Sequence, residues 1–304
     1  MPRHLSGICF AVCAAALNAT IGALSKLLIS AGLTTSAIAF YKTAVAVIVA
    51  SFVLLLLKHA PRWRGCRAQW WQAAVCSMLG IFMLFFFETR AYQHTDAATA
   101  VVVLMASAAL SAIVLGRFFL GDRIDRNILL GAVLAIIGMA VIFQKNLATE
   151  LNILGVWYAG LAGLGYGAFS VCMKKIKAKG GLLFTRQLLV FGALYLAIPA
   201  IHIHEQALSI TLSVDSALIL LLLAIFPTLL GFFCTTKAIE LLKPSQVQTI
   251  ELSEPLFAGV FAFIVMGEVP AMSTLYGGVL IVLGLLFSNH VIPLSRKQRT
   301  LPCQ

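Results

Sequence analysis

The stretch "AIAFYKTAVAVIV" at residues 37–49 places one lysine, Lys42, inside an apolar run that extends from Thr34 to Leu57. A run of this length suits a helix that crosses the hydrocarbon core of a bilayer, which needs about 20 residues. Lys42 lies about 12 Å into the run at 1.5 Å per residue. A charge at such depth usually faces a cavity or a partner, because insertion costs at least about 2.5 kcal/mol. Lys42 is therefore either an anchor for an anionic group of a substrate, a proton-coupled switch, or one half of a fixed ion pair.

The composition of the whole chain agrees with a membrane environment. Apolar residues make up 61% of the sequence and charged residues 11%, whereas about a quarter of a typical soluble domain is charged. The net charge of +11 does not indicate nucleic acid, because most Lys and Arg stand in short clusters between apolar runs, as topology signals do. The lipid bilayer is thus the predicted partner, and nucleic acid is not.

Motifs for cofactors and metals are missing from the sequence. The seven cysteines contain no C-x-x-C pair, so no disulfide framework or zinc site is indicated. The histidine cluster His202–Glu205 has no third ligand at a suitable spacing and is expected to form an external loop. Neither a phosphate-binding glycine loop nor a nucleophile elbow occurs, which argues against ATP-driven transport by this chain alone.

The apolar runs divide the chain into candidate membrane helices. The first run begins at a basic residue and contains "AAALNA" (residues 14–19), which resembles a signal-peptidase site, but it continues to about Ile29 and is interpreted as a retained helix. Continuous runs without a period of two predict helices rather than a β-barrel. The predicted spans are 5–30, 34–57, 70–92, 97–120, 127–144, 153–173, 182–203, 215–240, 245–266 and 270–292.

The basic residues predict the orientation of the ten spans. When both termini are placed in the cytoplasm, the connections on the cytoplasmic side hold nearly all of the loop lysines and arginines, as the positive-inside rule requires. The opposite connections hold little beyond Arg90 and Lys145. The predicted location is therefore the bacterial inner membrane, with both ends inside. The residues that favour this orientation are Lys58, Arg62, Arg64, Arg67, Arg123, Arg126, Lys174, Lys175, Lys177, Lys179, Lys243, Arg296, Lys297 and Arg299.

The two halves of the chain resemble each other at a nearly constant offset. "LNATIGALSK" (17–26) aligns with "GYGAFSVCMK" (165–174), and "TRAYQHTDAATA" (89–100) aligns with "TKAIELLKPSQV" (236–247). A third match joins "AALSAIVLGRFFLGD" (108–122) to "EPLFAGVFAFIVMGE" (254–268). Such self-similarity indicates a repeat. Five helices per half is an odd number, so the second half enters the membrane from the opposite face, as in many secondary transporters.

These features resemble the EamA-type transporters of the drug/metabolite transporter superfamily over nearly the whole length. The residues that support the resemblance are Lys42 in the second span, "ALSKLL" around Lys26, "SEPLFAGVFAFIVMGE" at 253–268 and "GGVLIVLGLL" at 277–286. The resemblance implies an all-α membrane protein with ten transmembrane helices, arranged as two inverted five-helix repeats at 1–147 and 148–304.

The sequence also departs from the family pattern at two positions. The family commonly has a tryptophan in the middle of its first helix, where this chain has Asn18, and often a proline in the fourth helix, where it has Ala109. Both positions fall near the substrate path that the resemblance implies. The substrate of a relative should therefore not be transferred directly to this chain.

Two carboxylates in the ninth predicted span are candidates for proton coupling. Glu251 and Glu254 are three residues apart and would share one face of a continuous helix. Two carboxylates close together in a low dielectric disfavour joint ionisation, which suits a proton carrier. For Glu254, just before Pro255, a role in the helix break or in pairing with Lys42 is an equal alternative, and Glu254 is also a candidate substrate ligand.

Other polar residues and prolines in the spans are candidates for binding and gating. Asn18, on a stripe of small residues, is either a substrate contact or a hydrogen bond between helices. Tyr166 occupies the corresponding place in the second half and could stack on a ligand. Glu88 and Arg90 are expected near the external mouth, as a gate or as a pair at the membrane surface. Pro227 and Pro255 can kink their helices, in a gate or simply in packing.

The predicted function is secondary transport of a small organic metabolite by alternating access. The resemblance implies an amino acid or another amphipathic compound, with export favoured, and Lys42 favours an anionic group on it. Protons are the candidate coupling ion. A membrane-embedded enzyme is the alternative from another class, although its convergent nucleophile and base are not visible in the sequence. A channel or structural membrane protein is the third alternative.

Overall fold

The computed structural model describes residues 3–57, 67–95, 97–122, 126–142, 144, 152–203, 213–258, 260 and 272–288. Within these ranges the chain is helical apart from short turns. The loop basic residues 58, 62, 64, 123 and 145, the tail from 289, and residues 204–212 with half of the histidine cluster lie outside the described residues.

Most helices begin and end within a few residues of the predicted spans. Four predicted spans are divided, because the first, third, eighth and ninth each consist of more than one segment. The helices are α1 (Arg3–Asn18), α2 (Ile21–Ser30), α3 (Thr35–Leu56), α4 (Arg67–Ser77), α5 (Leu84–His94), α6 (Ala97–Leu120), α7 (Arg126–Ile142), α8 (Ile153–Lys175), α9 (Leu182–Ile203), α10 (Val214–Leu223), α11 (Phe232–Leu241), α12 (Pro244–Glu251) and α13 (Met272–Ser288).

Seven helical segments of the described chain are long and apolar enough to cross a membrane. Two shorter apolar helices, Arg126–Ile142 and Tyr276–Ser288, accompany them. Large apolar side chains such as Ile48, Leu55 and Phe118 are exposed on the outside of the bundle. In a bilayer this surface faces acyl chains, so the protein is a multi-pass membrane protein. The predicted number of ten spans goes beyond these seven.

The interruptions of the helices have local chemical causes. α1 ends at Asn18, and the Thr20 hydroxyl donates to the Leu17 carbonyl at 3.0 Å, which competes with the helical bond. Between α10 and α11 lies a π-helical segment, Ala224–Gly231, that contains Pro227. Proline lacks an N–H group and leaves the carbonyl four residues earlier without its donor. The Thr228 hydroxyl replaces that donor, at 2.8 Å from the Leu223 oxygen.

A second π-helical segment, Met78–Met83, joins α4 to α5. It lies 146–148 residues before Ala224–Gly231, which is the offset of the sequence repeat. The ends of the following helices correspond in the same way. α5 ends at His94 and α11 at Leu241, and each is followed by an extended residue whose N–H donates to the equivalent carbonyl, Thr95 to Ala91 and Leu242 to Ala238.

The helix contacts also correspond between the two halves of the chain. α5 packs on α8, and the corresponding pair, α11 and α1, is in contact as well. α7 packs along α13 through glycines that permit the backbones to approach closely. Gly131 faces Gly284 across this contact, and Gly138 faces Gly277. Because 131 corresponds to 277 and 138 to 284 at an offset of 146, the contact has the reciprocal form of a twofold interface.

We expect Gly138→Ala to lower the melting temperature of the purified protein. A Cβ atom at Gly138 would lie 2.6 Å from the Gly277 oxygen, and overpacking of this kind typically costs about 1–3 kcal/mol. Thermal unfolding in detergent measures the effect. Gly160→Ala is the matched control, because the nearest atom to its Cβ would be the Ser107 Oγ at 3.8 Å. Equal melting temperatures for the two variants would contradict the close contact.

Candidate functional site

A small cavity lies where helices from both halves of the chain meet. Its volume is about 10 Å³, room for about one water molecule. α1, α2, α5 and α6 line it from the first half, and α8, α11 and the Ala224–Gly231 segment line it from the second. The polar and aromatic residues on its wall are Asn18, Phe85, Glu88, Tyr166, Thr228 and Phe232.

Lys42 is fully buried on α3 and forms an ion pair with Glu88 of α5. The Lys42 Nζ lies 3.5 Å from the Glu88 Oε2 and 4.0 Å from the centre of the Phe85 ring. The Tyr92 hydroxyl donates to the other carboxylate oxygen, Oε1, at 3.2 Å. Glu88, rather than Lys42, contributes to the cavity wall. The ammonium therefore stands behind Phe85 and Glu88, one layer away from the cavity.

The ion pair leaves hydrogen-bonding capacity unused. Within the described part of the chain, neither the Lys42 Nζ nor the Glu88 Oε2 has a hydrogen-bond partner. Their separation of 3.5 Å also exceeds the roughly 2.7–2.9 Å of a strong charge-assisted hydrogen bond. Because a buried polar group without a partner is costly, a water molecule or a ligand that bonded these two atoms would be stabilised there.

The sequence interpretation of Glu88 and Arg90 as a pair at the membrane surface is wrong. Glu88 is buried against Lys42, and the Arg90 guanidinium lies over the Phe86 ring, 4.5 Å from its centre. Lys42 also pairs with Glu88 and not with Glu254. A signal for this was available, since Lys42 is about 10 Å from the start of α3 and Glu88 about 9 Å from the end of α5. Antiparallel neighbouring helices place these two depths at the same level.

Glu251 connects to the cavity through two hydroxyl groups. Thr235 of α11 donates to the Glu251 Oε1 at 2.9 Å. The hydroxyls of Thr235 and Tyr166 are 3.2 Å apart, and because the single Thr235 proton points to Glu251, Tyr166 is the donor in this contact. All three side chains are buried. Tyr166 lines the cavity, and its role in binding stays a prediction. Thr235 was not singled out in the sequence.

Glu254 is buried but lies on a different helical segment from Glu251. α12 ends at Glu251, and Leu252 and Ser253 form a turn before the chain becomes helical again at 254–258. The prediction that the two carboxylates share one face of a continuous helix is therefore wrong. Pro255 explains the break, because it cannot donate to the Glu251 carbonyl four residues earlier. The Glu254 Oε2, like the Glu251 Oε2, has no hydrogen-bond partner among the described residues.

Asn18 and Pro227 both line the cavity. Asn18 is the last residue of α1 and is buried. Its side-chain oxygen lies against Gly231, where an added Cβ would come within 2.5 Å of it. Pro227 lines the same cavity from the π-helical segment. The structure thus brings Asn18, Glu88, Tyr166 and Pro227 together at one place. Arg90 and Pro255 stand apart from this wall.

The described residues contain no group of three or more His, Cys, Asp or Glu side chains that could hold a metal ion. The cavity wall instead combines one carboxylate, an amide, hydroxyls and aromatic rings. This chemistry suits the binding of a small polar or amphipathic organic molecule, with hydrogen bonds for orientation and aromatic surface for its apolar part.

Several known proteins resemble this chain. A Salmonella typhimurium protein named as a probable amino-acid metabolite efflux pump is 28% identical over 214 residues, which cover 67% of this chain and 71% of that protein. A Streptantibioticus cattleyicolor protein named as a probable terminal-alkyne amino-acid exporter is 27% identical over 212 residues, 69% of each chain. An uncharacterized transporter of Clostridium kluyveri is 24% identical over 221 residues, 71% of this chain and 70% of that one.

The fold matches a protein of known crystal structure. The TM-score is 0.79 at 17% sequence identity, and the match covers 96% of this chain and 100% of the other. The family described as the EamA-like transporter family matches residues 5–144 and again residues 153–290. The two matches together span most of the chain and confirm the resemblance found in the sequence. The chain belongs to the EamA-like transporter family.

Proposed function

We propose that the protein is a secondary transporter that exports a small organic metabolite by alternating access. The observation that supports this most directly is the buried Lys42–Glu88 pair beside a cavity lined from both halves of the chain. A carrier needs such a site near the middle of the membrane, at the contact between its repeats. The relatives named as an amino-acid metabolite efflux pump and an amino-acid exporter support export of an amino-acid-like compound.

The proposed architecture has ten transmembrane helices in two inverted halves, 1–147 and 148–304. The family matches twice, once in each half, and the helix ends and the glycine contact of α7 with α13 correspond between the halves. Both termini are proposed to lie in the cytoplasm of a bacterial cell, with the lysines after α8 on the same side. An odd number of helices per half then makes the halves antiparallel in the membrane.

The ion pair favours a substrate with two charges over a simple anion. Lys42 alone favours an anionic group, but Glu88 at 3.5 Å balances its charge and faces the cavity. An α-amino acid could place its ammonium at Glu88 and, once the pair opens, its carboxylate at Lys42. Asn18 and Tyr166 would orient the molecule, and Phe85 and Phe232 would contact its apolar part. Glu254 is buried outside the cavity wall, and we place it second for binding and for coupling.

Proton coupling is proposed at Glu251. The chain of hydroxyls from Tyr166 through Thr235 gives this carboxylate a route to the cavity. Its ionisable neighbours are Tyr166 on α8, Cys234 on α11 and Glu254 after the turn. Loss of a proton from Glu251 would place a negative charge beside Glu254 in the low-dielectric interior. Binding and release of one proton at Glu251 would thereby shift the equilibrium between the two conformations of the bundle. The gate is proposed to lie near Glu88, Pro227 and the interrupted helices.

We expect Lys42→Met to abolish substrate counterflow in proteoliposomes and to lower stability by roughly 3–5 kcal/mol, because Glu88 then remains as an unpaired buried charge. The double variant Lys42→Met/Glu88→Gln removes both charges and should recover stability without recovering transport. Counterflow of labelled amino acids measures transport, and chemical unfolding measures stability.

The control for the double variant is Lys237→Met/Glu240→Gln. It neutralises an ion pair at 3.0 Å whose side chains are about one-third exposed, and it should leave counterflow unchanged. Wild-type counterflow in Lys42→Met/Glu88→Gln would show that the buried pair only orders the bundle. Chemical conversion of the substrate without translocation would favour the enzyme alternative.

We expect Glu251→Gln to make the transport rate independent of pH while counterflow at a fixed pH persists. Thr235→Val should weaken the pH response because it cuts the hydroxyl chain, and Thr235→Ser should retain it. The measurement is uptake into proteoliposomes across a range of internal and external pH. Glu240→Gln, which changes a carboxylate about one-third exposed on the same helix as Thr235, is the control. An unchanged pH profile in Glu251→Gln would remove this residue as the proton site.

A further inference from the structure

Lys174, at the end of α8, binds carbonyl groups at the end of α11 and of the residue that follows it, Leu242. Its Nζ lies 3.0 Å from the Ile239 oxygen, 3.1 Å from the Glu240 oxygen and 2.7 Å from the Leu242 oxygen. All three protons of the ammonium are therefore used. The last carbonyls of a helix have no partner within the helix, and the helix dipole makes that end negative. Lys174 thus closes the end of α11 and ties it to α8.

The first half of the chain contains the same arrangement of residues. Lys26 of α2 corresponds to Lys174 in the sequence repeat, as the last residue of the matching segments 17–26 and 165–174. The carbonyls that Lys174 binds correspond to those of Tyr92, Gln93 and Thr95 at the end of α5. The two helix ends have the same form, since Thr95 and Leu242 are both extended and donate to equivalent carbonyls.

The two equivalent lysines differ in their contacts. Lys26 forms neither a hydrogen bond nor an ion pair with the described part of the chain. The helices that hold the lysines differ as well. α8 runs unbroken from Ile153 to Lys175, whereas the first half is interrupted at Ala19 and Thr20, so Lys26 stands on the separate helix α2. Equivalent sequences have therefore adopted two different states, one capped and one uncapped.

We infer that Lys174 and Lys26 are alternating caps of the transport cycle. Lys174 closes the end of α11 in the conformation described here, and Lys26 closes the end of α5 in the opposite conformation, in which Lys174 is released. The inference rests on the proposed alternating access, because an exchange of states between inverted halves is what converts one conformation into the other. It assigns a gating role to two residues that are not part of the cavity wall.

The interruption of the first span gives the exchange a physical basis. In the second half, Gly167 and Ala168 stand where Ala19 and Thr20 interrupt the first. In the opposite conformation we expect α1 and α2 to form a straighter helix that brings Lys26 to α5, while α8 bends at Gly167 and withdraws Lys174 from α11. Each lysine would then cap its partner helix only while its own helix is straight, so that the two caps form in turn.

Distances between spin labels at the two ends test the caps without any substrate. One pair is placed at Leu27 of α2 and Gln93 of α5, and the equivalent pair at Lys175 of α8 and Glu240 of α11. Leu27, Gln93 and Lys175 are exposed and Glu240 is half-buried. The labels are introduced into the full chain after replacement of its seven cysteines, and electron spin resonance gives the distance distributions in proteoliposomes.

We expect Lys174→Met to lengthen the 175–240 distance and to create a shorter population of the 27–93 distance. Adding Lys26→Met should remove that shorter population. Lys174→Arg, which keeps the charge and the donors, should give the wild-type distributions. Lys179→Met removes an exposed lysine beyond the same end of α8 and serves as the matched control, with both distributions unchanged.

Three results would overturn the inference. The first is that the distance distributions of Lys174→Met match those of Lys179→Met. The second is that Lys174→Met lengthens the 175–240 distance without changing the 27–93 distance. The third is that the shorter 27–93 population of Lys174→Met persists after Lys26→Met is added. If Lys174→Met does not insert into the membrane, Lys174→Gln, with fewer donors, is judged by the same criteria. If the two distances change reciprocally but the protein exchanges no amino acid, the proposed substrate is contradicted and the alternating caps are supported. If the protein exchanges amino acids but the two distances do not change reciprocally, only the alternating caps are contradicted.

Discussion

The interior of this bundle is organised around one buried ammonium group, which needs a compensating charge inside a membrane. Lys42 is fully buried, and its nearest compensating groups are the Glu88 carboxylate at 3.5 Å and the face of Phe85. Removing one member of such a pair leaves an uncompensated charge, so α3 and α5 are held at a fixed relative height. That height in turn places Tyr92 at the second oxygen of Glu88 and places Glu88 itself at the cavity wall. The helix contacts and the polarity of the cavity therefore follow from the same charge.

Several of the apolar helices around this pair are interrupted within their length. α1 stops at Asn18, and a π-helical segment holds Pro227. Each interruption exposes backbone carbonyls, which lipid cannot satisfy, so such sites are tolerated only within protein or beside a cavity. Side-chain hydroxyls supply some of the missing donors, as Thr228 does for Leu223. The interruptions thereby concentrate polar groups in the region that would have to bend during transport.

The sequence predicted the positions of the helices well, because an apolar run of about 20 residues has few alternatives in a bilayer. It also predicted that Lys42 is buried and that Asn18 and Tyr166 occupy related places. It did not predict the partner of Lys42. The depth of Glu88 was counted from the opposite end of its helix, and the sequence does not tell which helices are in contact. It placed Glu251 and Glu254 on one face, since neither the turn at Leu252 and Ser253 nor its geometry can be read from helical spacing alone.

Hydroxyl groups were the least predictable part of the site. Threonine and serine are frequent in membrane helices and commonly bond a carbonyl of their own helix, as Thr43 does with Ala39. Thr235 is the same residue type on another buried helix, yet its hydroxyl bonds Glu251 and lies beside the Tyr166 hydroxyl. Only the three-dimensional arrangement of α8, α11 and α12 distinguishes the two threonines. A sequence position that is ordinary in chemistry can therefore be central to a polar network.

The size of the cavity requires part of the bundle to open before a substrate could enter. A space of about 10 Å³ accepts about one water molecule, so an amino acid could enter only if the wall opened. The α7–α13 contact resists such a change, because its glycines bring the two backbones into direct contact and close packing resists gradual deformation. The wall that includes Asn18, Pro227 and Thr228 lies instead at helix interruptions. Opening at these interruptions would widen the cavity beside Glu88 and expose the unused hydrogen-bonding capacity of the ion pair, while the glycine contact keeps the two halves joined.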